Sequence, residues 1–167
     1  DADPTRGEYV EGTLSVEGGT MRHVGVRYKG SEGAWYECVE YGPGGGAKTC
    51  PLSMQIKINR ANKDTTFFGL KDFQLHALND DASKLIQRIG YWFYREMGVP
   101  APRVAQVELW INGAYEGLYS HVEEIDGRFA KHHFQDGSGN LYKEVWPLAY
   151  TGKAQSAAVL QAGLKTN

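Results

Sequence analysis

One switch of hydrophobic period organises this sequence. Apolar residues alternate up to Ala77, recur every three or four residues from Leu85 to Met97, and alternate again from Ala105. Val24, Val26 and Tyr28 interleave with Arg27 and Lys29; Met54, Ile56 and Ile58 interleave with Gln55, Lys57 and Asn59; Phe73, Leu75 and Ala77 interleave with Gln74 and His76. That is the period of half-buried antiparallel strands. Asn79-Asp-Asp-Ala-Ser83 is a helix-start cluster, with acids where the positive end of a helix dipole sits. Leu85, Ile86, Ile89, Phe93 and Met97 then form one stripe, ended by Gly98 and barred from continuing by Pro100 and Pro102. Ala105, Val107, Leu109 and Ile111 start a further strand, and Asn112-Gly113 predicts a type I′ hairpin returning over Tyr115 to Val122. A short helix around Asp126 to Phe134, a strand near Leu141 to Val145 and a small, polar tail from Thr151 without a closing core element complete the pattern. The fold class is α+β: a mostly antiparallel sheet with one long packed helix.

Composition limits the function classes. A net charge of −2 leaves no footprint for nucleic acid or an anionic membrane. No run reaches the roughly 18 to 20 apolar residues of a spanning helix. The chain opens on Asp1-Ala-Asp-Pro4 without an initiator Met, which reads as a processed product or a piece of something longer. Cys38 and Cys50 bracket eleven residues of turn chemistry around Gly42-Pro-Gly-Gly-Gly46. They are either a disulfide, which would place the chain outside the cytoplasm, or two buried free thiols.

Several segments resemble the CotH (spore coat protein H) kinase family. They are Gly25-Val-Arg-Tyr-Lys-Gly30, Gln55-Ile-Lys-Ile58, Asp72-Phe-Gln-Leu-His-Ala-Leu-Asn-Asp80 and Met97-Gly-Val-Pro-Ala-Pro-Arg103. Val107-Glu-Leu-Trp-Ile-Asn-Gly113, Gly117-Leu-Tyr119, Val122-Glu-Glu-Ile-Asp126 and Asn140-Leu-Tyr-Lys143 follow in order. The resemblance implies a protein-kinase small lobe plus hinge over residues 1–145, with 146–167 a tail or the start of a large lobe. It further implies ATP and Mg2+ as cofactors and a secreted, surface or coat protein as substrate. The carboxylates that do the chemistry would lie beyond Lys143, so this stretch alone would be inactive.

Phosphoryl transfer asks a small lobe mainly for a strand lysine facing the phosphates. Lys57 has that place by resemblance, since it shares the polar face with Gln55; the bland alternative is a solvated strand lysine. Gln87 stands where the family's helix carries a Glu that would hold the lysine; a Gln can hydrogen-bond an ammonium but not neutralise it. Glu96 would lie about 13 Å further along the helix. Glu123 and Ile125 occupy the hinge-like passage whose backbone would meet an adenine, or else end a strand with solvated acids. No metal site is expected: His132-His133 splay apart, and Asp136, Ser138 and Asn140 have a calcium-loop rhythm with Leu141 where Gly is required. Gly42 to Thr49 misses the phosphate-loop pattern by Ala47 and leads into Cys50-Pro51 rather than a helix. The competing function is a non-catalytic extracellular binding or structural module on the same scaffold, with Trp35, Tyr36, Tyr41 and Trp110 as contact residues.

Overall fold

The computed structural model of the chain describes residues 8–30, 38–42, 45–143 and 156–164. The chain divides into two compact units, residues 1–123 and 124–167. The division lies before the 145/146 boundary expected from sequence, which falls outside the described residues.

The first unit is built on strands β1 (Val10–Val16), β2 (Gly19–Tyr28), β5 (Met54–Lys57), β6 (Asp72–His76), β7 (Val104–Ile111) and β8 (Ala114–Val122). They form one six-stranded sheet in the order β1-β2-β5-β6-β8-β7, and every neighbouring pair is antiparallel. β3 (Val39–Gly42) and β4 (Gly45–Lys48) make a separate hairpin. Because side chains alternate across a strand, the register gathers Val24, Met54, Ile56, Phe73, Leu75 and Tyr119 into one buried cluster, with Val107, Leu109 and Ile111 packed against it. Apart from Tyr119, these are the residues whose alternation marks the strands in the sequence. Ile58 joins the core from a 3-10 turn (Ile58–Arg60) rather than from the strand. His121 faces the same side, edge-on to Phe73 with ring centroids 4.6 Å apart, and its burial pushes the imidazole below its ordinary pKa.

The β7–β8 turn has Asn112 at φ +52° and Gly113 at φ +83°, the left-handed pair that a type I′ turn demands. Helix α1 (Ile86–Glu96) ends as the sequence predicts. Gly98 lies at φ +75°, its N–H bonds the Arg95 carbonyl at 2.9 Å, and the Val99 N–H bonds the Tyr94 carbonyl at 2.9 Å. That double bond is a Schellman stop.

Two expectations for the helix need correction. It begins at Ile86, after the acidic cluster, because residues 78–84 spend their hydrogen bonds on a turn of their own. Asp81 caps from a distance: Oδ2 accepts the Ile86 N–H at 2.8 Å, and Oδ1 accepts the Ser83 N–H at 2.9 Å and its hydroxyl at 2.6 Å. The hydroxyl bond above all, with the backbone donors, holds this carboxyl below its ordinary pKa. The second correction concerns packing. None of the helix residues is buried, and the predicted core stripe is open: Ile86 is 67% exposed, Ile89 55%, Phe93 54% and Met97 64%. α1 lies on the sheet by its polar side instead.

The second unit holds α2 (Gly127–His133), capped by Asp126, whose Oδ1 accepts the Arg128 and Phe129 N–H groups. The strand expected near Leu141 is a single bridge between Tyr142 and Leu164, and residues 144 and 145 lie outside the described residues. The tail, small and polar in the sequence, also carries a short helix, α3 (Ala157–Ala162). Its cap, Ser156, accepts the Val159 N–H at 3.4 Å.

The packing makes opposite demands on two apolar residues. Leu75→Ala removes a 4%-exposed side chain from a central strand, so denaturant unfolding should show a loss of about 2–5 kcal/mol. Ile89→Ala on the open stripe should stay within roughly 0.5 kcal/mol at low protein concentration. A large loss at Ile89 would mean that the stripe is core after all.

Candidate functional site

The polar face of the sheet carries the candidate site. Arg27, Gln55 and Gln74 are cross-strand partners in one row, and the Arg27 guanidinium donates to Gln55 Oε1 from Nε (3.1 Å) and Nη2 (2.7 Å). The Lys29 ammonium donates to Gln74 Oε1 and lies 3.3 Å from His76 Nε2. His76 Nε2 is itself 2.8 Å from Gln74 Oε1, and His76 Nδ1 meets the side-chain amide of Gln87 on α1 at about 3 Å. One side-chain network therefore runs from Lys29, the residue that follows β2, through a histidine to the helix. Further along, the Arg88 guanidinium donates to Gln106 Oε1 at 2.9 Å, and Gln106 Nε2 donates to the Lys84 carbonyl at 3.1 Å. These neutral and singly charged bonds hold α1 by its polar side.

Lys57 lies elsewhere on this face. It is registered against Gly25 and Asp72, four residues along β6 from His76, or about 13 Å. Its ammonium stands 5.7 Å from the centroid of the Tyr9 ring, which also carries the Arg27 guanidinium at 5.2 Å. Gly25 makes room for this cover: a Cβ there would stand 3.0 Å from both Tyr9 and Arg60 side chains. Among the described residues Lys57 makes no ion pair. The structure thus does not bring Lys57 and Gln87 together; Gln87 reaches His76, and through it Lys29.

A cavity of about 270 Å³ opens beside this network, lined by Lys29, Ser53, His76, Asn79, Asp80 and Cys38. Its wall is pinned covalently. Cys38 and Cys50 are joined as a disulfide, with Cα atoms 4.9 Å apart, and Cys38 is buried with Leu52. The Asn79 amide donates to the Pro51 carbonyl at 2.8 Å and approaches both sulfurs, at 3.1 and 3.4 Å. On the far side of the turn the Lys84 ammonium, from a residue at φ +58°, donates to the Ala77 and Leu78 carbonyls at 2.8 and 2.6 Å. The passage from β6 to α1 is thus tied at both ends.

Glu123 is occupied by Arg103. Their side chains make two bonds, at 2.7 and 3.2 Å, and the Glu123 N–H donates to the Arg103 carbonyl at 3.0 Å. The carboxylate, by its hydrogen bond and charge, holds the guanidinium pKa up. In the second unit Glu124 pairs with the Lys143 ammonium, and Ile125 follows it half-buried. The segment from Gly45 to Lys48 is a strand, with Lys48 paired to Glu116 at 2.5 Å, so this lysine is committed to a carboxylate and does not head a phosphate loop.

Sequence reasoning passed over Lys29, His76, Asn79 and Tyr9. The signal for the first two was present, since both alternate out of the apolar face, but only the register reveals that they meet. Trp35 and Tyr36 lie outside the described residues, as do the side-chain surroundings of Tyr41.

The family described as CotH kinase protein matches residues 43–161. The chain belongs to the CotH kinase family. An inner spore coat protein H-like protein of Bacillus subtilis (strain 168) is 35% identical over 60 residues, which are 36% of this chain and 20% of that relative. The chain thus spans about a fifth of that CotH relative's length.

The disulfide supports the cavity wall, which gives a direct test. Replacing both cysteines by serine should lower stability by about 3 kcal/mol in denaturant unfolding. It should also raise hydrogen exchange at Leu78 to Lys84, the turn that Asn79 anchors. Unchanged exchange there would separate the disulfide from the site.

Proposed function

We propose that this chain is the nucleotide-facing part of a CotH-type protein kinase, a small lobe with one helix laid across an antiparallel sheet. In the longer protein it would help transfer phosphate from ATP to secreted, surface or coat proteins; alone it would bind nucleotide weakly and transfer nothing. The observation that carries this reading is the connection from Lys29 through Gln74 and His76 to Gln87. A cation at the end of a strand, steered by a side chain from the crossing helix, is what positioning a phosphate requires.

The residues fit the two implied cofactors unequally. Arg27, Lys29 and Lys57 put three cations on one sheet face, which suits a polyphosphate. When bound, ATP would supply the transferable phosphoryl group, and these side chains would bind and orient its charge. Among the described residues no three His, Cys, Asp or Glu side chains are grouped to hold a metal ion. On this reading Mg2+ would be held by the phosphates of ATP and by the carboxylates that the resemblance puts beyond Lys143. Lys29 is the phosphate contact on this reading because the helix reaches it; Lys57 marks a second contact about 13 Å away. The disulfide favours an extracytoplasmic setting, and no helix among the described residues is long and apolar enough to cross a membrane.

One observation favours the second reading, a non-catalytic extracellular module. Gln87 contributes no charge to the network, so the lysine is positioned without a helix carboxylate.

Titration of the chain with a fluorescent ATP analogue separates the two. Binding in the high micromolar to millimolar range is expected. Lys29→Ala should weaken it about tenfold, as expected for removal of one charge-assisted hydrogen bond, and Lys57→Ala should weaken it less. Loss with Lys57→Ala alone would move the phosphates to the Tyr9 end of the face. Binding that neither variant alters, or none at all, would favour the module.

A further inference from the structure

The open stripe of α1 is the largest feature that the proposed site leaves unused. Leu85, Ile86, Ile89, Trp92, Phe93 and Met97 are 40–67% exposed and fall in one arc of the helix. Together they leave on the order of 700 Å² of apolar surface, above the roughly 300–600 Å² patch usual for a monomer and close to the ~800 Å² per partner of a standard interface. The other side of α1 is engaged by His76, Gln106 and the Pro102 carbonyl, so the helix cannot turn this stripe inward without breaking those bonds.

We propose that a second copy of this chain covers the stripe, with the two α1 helices paired antiparallel about a two-fold axis. Charge placement selects that occupant. Glu96 is the one carboxylate within the arc, at its C-terminal end, and Arg88 lies on the same flank near the N-terminal end. A two-fold axis at the height of Tyr91 sets Leu85 opposite Met97 and Ile89 opposite Phe93. It also brings Glu96 of the second copy to within about 3 Å of the height of Arg88, because these residues lie five and three positions either side of Tyr91. A parallel pair would instead place Glu96 beside Glu96. Antiparallel helix dipoles add to the preference. Beside the stripe lies a cavity of about 510 Å³, lined by Leu85, Arg88, Ile89, Trp92, Arg95 and Val104; Arg88 and Arg95 each give one nitrogen to Gln106 or the Pro102 carbonyl, and the rest of each five-donor guanidinium can serve the incoming carboxylate. The same surface supplies both halves of the charge pair, which is the signature of an isologous contact. This inference stands apart from nucleotide binding and does not depend on it.

Sedimentation velocity over a range of concentrations tests it, with circular dichroism as a folding control. The unmodified chain should form a dimer that dissociates on dilution, and Phe93→Asp should be monomeric. Arg88→Glu and Glu96→Arg should each weaken the dimer about tenfold or more. The double variant should recover most of that loss, as attraction is restored with the signs exchanged. A chain that stays monomeric throughout, a dimer indifferent to Phe93→Asp, or charge changes that do not rescue each other would overturn the proposal.

Discussion

A buried carboxylate governs how the helix leaves the sheet. Asp81 is 7% exposed, and it spends both oxygens on the turn that precedes α1 and on the first helical N–H. A buried charge is costly unless its hydrogen bonds are filled, so the turn can close in only a few ways. Lys84 completes it by giving its ammonium to the carbonyls of Ala77 and Leu78, just past β6. Asn79 holds the other end to Pro51 and the disulfide. The helix therefore departs with Gln87 over His76, and the polar face of the sheet becomes a covered, hydrogen-bonded surface.

The consequence reaches the apolar stripe. A helix pinned by its polar side must show its apolar side outward, against the usual preference for turning that side to the core. Burial energy that a globular helix would gain inside this unit is left for another surface to claim. The sheet does not need the helix for its own stability, because Tyr119, Leu75 and their neighbours fill the opposite face. This division of labour separates a buried core from the hydrogen-bonded polar face that carries the candidate site.

Much of the fold was legible in the sequence. Period-two alternation located the core face of β2, β5, β6 and β7, since burial of one face is a local consequence of the strand pleat. Asn112-Gly113 and Gly98 announced themselves because each needs positive φ. The orientation of α1 was not legible. Periodicity says which residues share a side of a helix, but not what that side meets, and Asp81 decides that through bonds to Ser83 and Ile86. The site was half legible for a similar reason. Alternation put Lys29, Lys57, Gln74 and His76 on one face, while their grouping depends on register. The resemblance directed attention to Lys57 and Gln87; the structure pairs Gln87 with His76 instead.

α1 is fixed to the sheet by its polar side, through Gln87 and His76. A double-mutant cycle read by denaturant unfolding measures it most directly, using Gln87→Ala, His76→Ala and the pair. A coupling of about 0.5–1.5 kcal/mol is expected, the size of one hydrogen bond between side chains in contact. Simple additivity of the two losses would contradict it.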